Sequence, residues 1–332
     1  MSRVRKVSDM FDFFMNLERN CRPTKKLFAQ SRVYRAASSG FTLIEMLVSM
    51  AVLSVIMGGV MTAINSAQQT YARTEPKNDM YENVRGVAEL MAQEVGQAGL
   101  VTLPATTISA VAAAGSATVT PSSMTALFAN EKLLVDTGTN EESITISTIT
   151  STTFTATFAK THIAATPIYA IGSAPNGVIP NSGTDPSSAT TLNLFGDING
   201  DGTLVYVRYV CTVGTTSAPG TLTRSVTTIT PGVNTVSTSQ TLLSTVIGPA
   251  GGCFQYVTTS DSTTGTAYTF VTSVGFTVSV QATVADPQTG QYASMTKSFL
   301  NLSPRNVAAA LEQSIANNAP RLQGSPPNVA SY

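Results

Sequence analysis

The rhythm of hydrophobic and polar positions divides the chain before any motif is considered. Residues 41–64 are apolar on every side and carry one charge in 24 positions, Glu45. At ~1.5 Å per residue they predict a helix of roughly 36 Å, enough to cross a bilayer core of about 30 Å. A carboxylate in such a span costs roughly 2.5 kcal/mol or more and demands a partner. From residue 65 the sequence turns polar, yet Met80, Val84, Val87, Met91, Val95 and Ala98 recur three or four apart, one face of a helix. Together the two stretches predict one long helix from Phe41 to about Gly99. Gly58, Gly59 and Pro76 are its weak points, and Pro76 is expected to kink or interrupt it, lacking an N–H and crowding the preceding turn. Gly99 suits the left-handed cap that ends a helix.

Beyond Leu100 the chain becomes rich in Thr, Ser and Val with scattered Gly and Pro, a composition of strands and turns. Alternating runs at 143–149, 152–158, 204–211, 222–226, 270–284 and 294–302 predict half-buried strands. The fold class is therefore α+β, a long N-terminal helix packed on an antiparallel β-sheet head. Residues 109–172 read as an inserted small β module, a small barrel with strands near 133–135, 142–149, 153–158 and 162–169. The module resembles small β modules of bacterial surface and phage-associated proteins, which assigns it no function. After Asn306, alanines, Asn317-Asn318 and Pro326-Pro327 predict a mobile tail with at most a short helix near 307–315.

Charge separates the first 40 residues from the rest. They hold nine Lys or Arg against three acids, while residues 41–332 hold ten against sixteen, so the formal zero adds two unlike parts. A basic flank before an apolar span keeps the N-terminus cytoplasmic. An acidic remainder with no basic aromatic groove argues against general nucleic-acid binding.

The junction of these parts reads Gly40-Phe41-Thr42-Leu43-Ile44-Glu45. It resembles the N-terminal signal of type IV pilins and type II secretion pseudopilins, in which a prepilin peptidase cuts after a glycine and methylates the new N-terminus. The resemblance implies cleavage after Gly40, N-methylation of Phe41, and a role for Glu45 in neutralising the α-amine of a neighbouring subunit during assembly. Further segments are similar to large minor pilins of the PilW and GspJ branch. These are Glu94-Val95-Gly96-Gln97-Ala98-Gly99-Leu100, the Tyr-Val-Arg-Tyr run at 206–209, Thr221-Leu222-Thr223-Arg224, and Leu300-Asn301-Leu302-Ser303-Pro304-Arg305-Asn306. The implied organisation is a cleaved leader at 1–40 with Met15 as an alternative start, a membrane and filament-core half-helix at 41–64, and an amphipathic half at 65–100. A β-rich pilin head follows at 101–108 and 173–306, interrupted by the module at 109–172 and followed by the tail at 307–332.

The resemblance implies a PilW-like minor pilin in the inner membrane, with a cytoplasmic N-terminus and a periplasmic head, later part of a surface pilus at or near its tip. Its implied partners are the prepilin peptidase and methylase, other major and minor pilins, and a tip adhesin. A GspJ-like pseudopilin shares the motif and head design. A rival is an uncleaved, membrane-anchored binding protein that never polymerises, with Glu45 reaching the interface.

Cleavage would remove Cys21 and leave Cys211 and Cys253 in an oxidising compartment, as a disulfide or as two buried thiols. A bridge would close a loop worth roughly 4 kcal/mol in the chain-entropy model. Asp197, Asn199 and Asp201, with the Thr203 carbonyl, match the first half of a calcium loop, but Arg208 stands where the bidentate Glu belongs. A polar hairpin turn explains the same residues. No cofactor is required, and calcium is the one candidate ion. Catalysis has little support: His162 is the only histidine, and no nucleophile-elbow sequence accompanies it. The expected protein is not an enzyme.

Overall fold

The computed structural model describes residues 40–180, 186–230, 233–234 and 239–324. The expected leader up to residue 39, with Met15 and Cys21, and the tail end at 325–332 lie outside the described residues. The first helix, α1, spans Leu43–Gln97. Every residue from 43 to 64 is exposed. Hydroxyls in this stretch bond back to the helix: Ser54 Oγ donates to the Met50 carbonyl and Thr62 Oγ1 to the Gly58 carbonyl, both at 2.8 Å. Such pairing satisfies polar side chains where no water can.

The helix runs through Gly58, Gly59 and Pro76 without a break, which corrects the interruption expected at Pro76. Proline removes one i to i−4 bond, whereas the turns on either side keep theirs and the packed stripe that follows fixes their direction. That stripe is the one read from spacing: Met80, Val84, Val87, Met91, Val95 and Ala98 are buried in the main core. Gly99 ends the helix at φ +85°, and a Cβ there would come within 2.9 Å of the Ala174 carbonyl oxygen. Its N–H donates to the Phe195 carbonyl at 2.8 Å, which hands the chain from helix to sheet.

Two antiparallel sheets follow. The smaller takes its strands from β1 (Thr106–Thr107), β2 (Gly115–Val119), β3 (Lys132–Val135), β4 (Glu142–Ile149), β5 (Phe154–Phe158) and β6 (Pro167–Ala170), in the order β1-β6-β3-β4-β5-β2. Its two ends meet: Ser122 N–H donates to the Thr107 carbonyl at 2.8 Å and Ser109 N–H to the Thr120 carbonyl at 2.9 Å. The sheet therefore closes on itself around its own core of Ile108, Leu127, Leu133, Ile144, Ile146, Phe154 and Phe158. The continuous strand expected over 162–169 is split. His162 bridges to Ala112, Ala165 adopts φ +68°, and only Pro167–Ala170 forms a strand.

The larger sheet comprises β7 (Thr191–Gly196), β8 (Val205–Thr212), β9 (Gly220–Thr230), β10 (Val233–Asn234), β11 (Gln240–Gly248), β12 (Phe254–Asp261), β13 (Tyr268–Ala285) and β14 (Tyr292–Leu302). Its main path is β12-β13-β11-β9-β8-β7, with β10 on β9 and β14 on β13. The inward faces of β7, β8 and β13 supply Leu192, Leu194, Val207, Tyr209, Val274, Phe276 and Val278 to the core that receives the α1 stripe. Each such side chain, fully buried, contributes about 1.5–3 kcal/mol.

The segment expected to be a mobile tail is seated on the head as far as it is described. Helix α2 (Arg305–Ile315) buries Val307 and Ala310 beside Phe270 and Leu322. Its spacing is amphipathic, which the alanine-rich composition disguised. Gln323 then pairs twice with Lys132, accepting from its N–H at 2.8 Å and donating to its carbonyl at 2.7 Å.

Candidate processing and assembly site

Thr42 and Glu45 build the start of α1. Glu45 N–H donates to Thr42 Oγ1 at 3.3 Å, while Glu45 Oε2 accepts from the Thr42 N–H and from Thr42 Oγ1, both at 3.0 Å. This reciprocal pair is a capping box, which satisfies two of the donors that open a helix. Within one chain the Glu45 carboxylate is thus held by Thr42. It remains solvent-exposed at the head of a wholly exposed apolar helix.

Gly40 stands in open space, where an added Cβ would meet nothing within 4 Å. The chain's own packing therefore makes no demand for glycine there. Phe41 is 78% exposed and has no core to join. A residue that is small without a folding reason, followed by an exposed aromatic and a capped acidic turn, has the chemistry of a substrate.

Residues 35–61 match the family model described as the prokaryotic N-terminal methylation motif. No curated protein and no solved structure gives a significant match. The motif is the type IV pilin-like signal, and it covers Gly40, Phe41 and Glu45. With the long apolar helix followed by antiparallel sheets, the architecture is pilin-like. The chain thus carries the processing signal of type IV pilin- and pseudopilin-like proteins, which implies a prepilin peptidase as partner, at the head of a helix long and apolar enough to cross a membrane.

The other segments singled out in the sequence meet at the end of α1. Glu94, 3% exposed, receives the Tyr209 hydroxyl and the Arg224 guanidinium, whose Nε lies at 3.2 Å. Asn306 Nδ2 donates to the Gln97 carbonyl at 3.0 Å. Four separated pieces of sequence thereby converge on one joint between helix and sheet. Burial pushes the Tyr209 hydroxyl up and the Glu94 charge pushes it further. For Arg224, burial opposes the charge, but Glu94 more than offsets it and raises the guanidinium. Spacing could not reveal this triad, because its members lie 115 and 130 residues apart.

Cys211 and Cys253 form a disulfide, with Cα atoms 6.2 Å apart. It ties the end of β8 to the entry of β12, strands that are not neighbours in the sheet. Both cysteines are buried.

Asp197 is also buried. Its Oδ1 accepts from the Asp201 N–H at 3.0 Å, and its Oδ2 from the Gly202 N–H at 3.0 Å and from the Thr102 hydroxyl. Asp201 Oδ1 accepts from the Thr203 N–H at 2.8 Å. The turn is complete on its own hydrogen bonds. With three of about four lone-pair sites of Asp197 in use, these residues fit only a weak calcium site.

His162 is fully buried in the small sheet. Its Nδ1 faces Asp136 Oδ2 at 3.1 Å and its Nε2 faces Glu142 Oε1 at 2.6 Å, with the Phe158 ring edge-on. Each ring nitrogen thus lies within hydrogen-bonding distance of a carboxylate oxygen. The Asn140 amide, the Thr137 N–H and His162 hold the Asp136 carboxyl below the usual carboxylate range. Burial works to raise Glu142, but His162 and the Ala159 and Lys160 N–H groups bring it below. The two carboxylates lie on opposite sides of the ring, so they frame no common point for a metal. Among the described residues no cluster of three such ligands occurs.

Proposed function

We propose that this protein is a PilW-like minor pilin of a type IV pilus. It is cut after Gly40, methylated on Phe41, and assembled at or near the pilus tip, where it helps prime assembly. The observation that carries the reading is the exposed half-helix at 43–64, preceded by the Gly40–Phe41 junction and headed by the Thr42–Glu45 box. An all-round apolar helix with no protein cover is stable only in lipid or among other helices. In the membrane, the box shields Glu45. In a filament, Glu45 would exchange Thr42 for the α-amine of a neighbouring Phe41, which removes the cost of an unpaired charge. The joint at Glu94, Tyr209 and Arg224 supports the narrower assignment, since it unites segments similar to that branch.

The expected partners are the prepilin peptidase and methylase, major and minor pilins, and a tip adhesin. Calcium at Asp197, Asn199, Asp201 and the Thr203 carbonyl would be an accessory to the head. Intact-mass measurement of the protein from its native membrane tests the core of the reading. The expected mass lacks residues 1–40 and carries one added methyl. An uncleaved N-terminus would overturn it in favour of a membrane-anchored binding protein, and co-purification with secretion pseudopilins would replace the pilus with a type II secretion system.

A further inference from the structure

One ionisable side chain serves neither the assembly segment nor the helix joint. Glu131 is fully buried, at the turn leading into β3. Its Oε2 accepts from the Phe128 N–H at 3.1 Å, and its Oε1 has no hydrogen-bonding partner among the described residues. The turn lies where three parts of the molecule meet. Phe128 stacks edge-on against Phe195 of β7 at 5.9 Å and joins the cluster containing Tyr206 and Ile229 of the large sheet. Asn130 and Glu131 exchange backbone hydrogen bonds with Ile146 of β4, both at 2.9 Å. Lys132 holds the C-terminal segment through Gln323 and through its ammonium, which donates to the Ala319 carbonyl at 2.6 Å.

We propose that Glu131 is a proton-held joint: while its carboxyl is neutral the small closed sheet stays locked to the large sheet and to residues 319–324, and loss of that proton loosens the lock.

An ionised carboxylate at this fully buried position would have one N–H for company, a cost of several kcal/mol that the neutral acid avoids. Burial accordingly pushes the Glu131 carboxyl well above the usual carboxylate range, and the Phe128 N–H only partly opposes it. Among the described residues no charged neighbour offsets the burial. Lys132 turns its ammonium to Ala319, Arg321 is exposed, Glu142 on β4 is engaged with His162, and the large sheet presents Phe195 and Tyr206. To ionise, Glu131 must reach water, and the shortest way is to lift the 128–132 turn or the C-terminal segment resting beside it.

The direction follows from linkage. The closed joint binds the proton more tightly than the open one, so its stability is complete below the ordinary glutamate value. That stability falls as pH rises from there to the raised value in the closed state, by up to about tenfold in the closing equilibrium per pH unit.

The test uses the full chain in detergent micelles. Hydrogen exchange of the peptides covering 128–132 and 319–324 is compared between wild type and Glu131→Gln, from about pH 5 to about pH 8, after correction for intrinsic exchange. The wild type should lose protection in both peptides together, by up to about tenfold per pH unit over the active window, while the glutamine variant stays level. Infrared difference spectra of wild type should show a carboxylic-acid carbonyl band above pH 5 that disappears as protection is lost. This band decides the matter even if Glu131→Gln folds poorly. Equal pH slopes in the two proteins, absence of the band, or a band that titrates without loss of protection would each overturn the proposal.

Discussion

The two halves of α1 share one secondary structure but differ in where their apolar residues lie, and they behave oppositely. Residues 43–64 are apolar all round and wholly exposed, whereas from Met80 to Ala98 a single stripe is apolar and that stripe is buried. Among the described residues the first half has no partner, so its hydrophobicity answers to lipid or to other helices. The second half is bound to the head by packing and by a buried ion pair. The contrast shows what each residue is for: a substitution in one half should leave the other untouched.

The largest expected effect is on processing. Gly40→Val should leave a full-length membrane protein that folds normally, because a side chain at position 40 meets nothing in the fold. Normal cleavage of this variant, seen by intact mass, would remove the junction from the argument. Glu45→Val comes next. It should insert and be cleaved as usual, since it removes only an unfavourable charge, yet enter pili poorly. Quantifying the variant in sheared pili checks this, and wild-type incorporation would contradict it.

In the second half, Glu94→Ala should destabilise the head by about 3 kcal/mol, because the buried Tyr209 hydroxyl and the half-buried Arg224 guanidinium both lose their partner. Met91→Ala should cost about 2–5 kcal/mol through the cavity it opens. Leu53→Ala, on the exposed half, should leave the head's thermal transition within about 0.5 kcal/mol of wild type. Calorimetry in detergent compares the three, and equal losses from Met91 and Leu53 would erase the distinction between the halves.

Acid should loosen the small sheet. Asp136 and Glu142 have folded-state values below their unfolded ones. Their stabilisation is therefore present above the unfolded range, at about pH 4, and is lost as pH falls through the lowered values. Hydrogen exchange of 158–163 should show protection falling below about pH 4. Calcium should act modestly. At ten times its dissociation constant a weak site adds about 1.4 kcal/mol, and Asp201→Ala should abolish the rise in melting temperature.

Much of this molecule could be read without coordinates because its signals are local. The strands near 143–149, 204–211 and 294–302 follow from alternation, and the stripe on α1 from spacing, since neighbours three or four apart share a helix face whatever surrounds them. The signals fail where tertiary context supplies the bonding. Thr191–Gly196 went unread because β7 is buried on both faces and lacks alternation. Pro76 was expected to kink or interrupt the helix, and the helix is not interrupted there.

By itself, then, the sequence determined what depends on near neighbours: the apolar span, the Gly40–Glu45 junction, the helical stripe, the α+β class. Only the tertiary structure decided which distant groups meet, namely Glu94 with Tyr209 and Arg224, Asp136 and Glu142 with His162, and Gln323 with Lys132. The physical reason is that charge and hydrogen bonding act over a few ångströms in space, and only the folded chain brings residues a hundred positions apart to that distance.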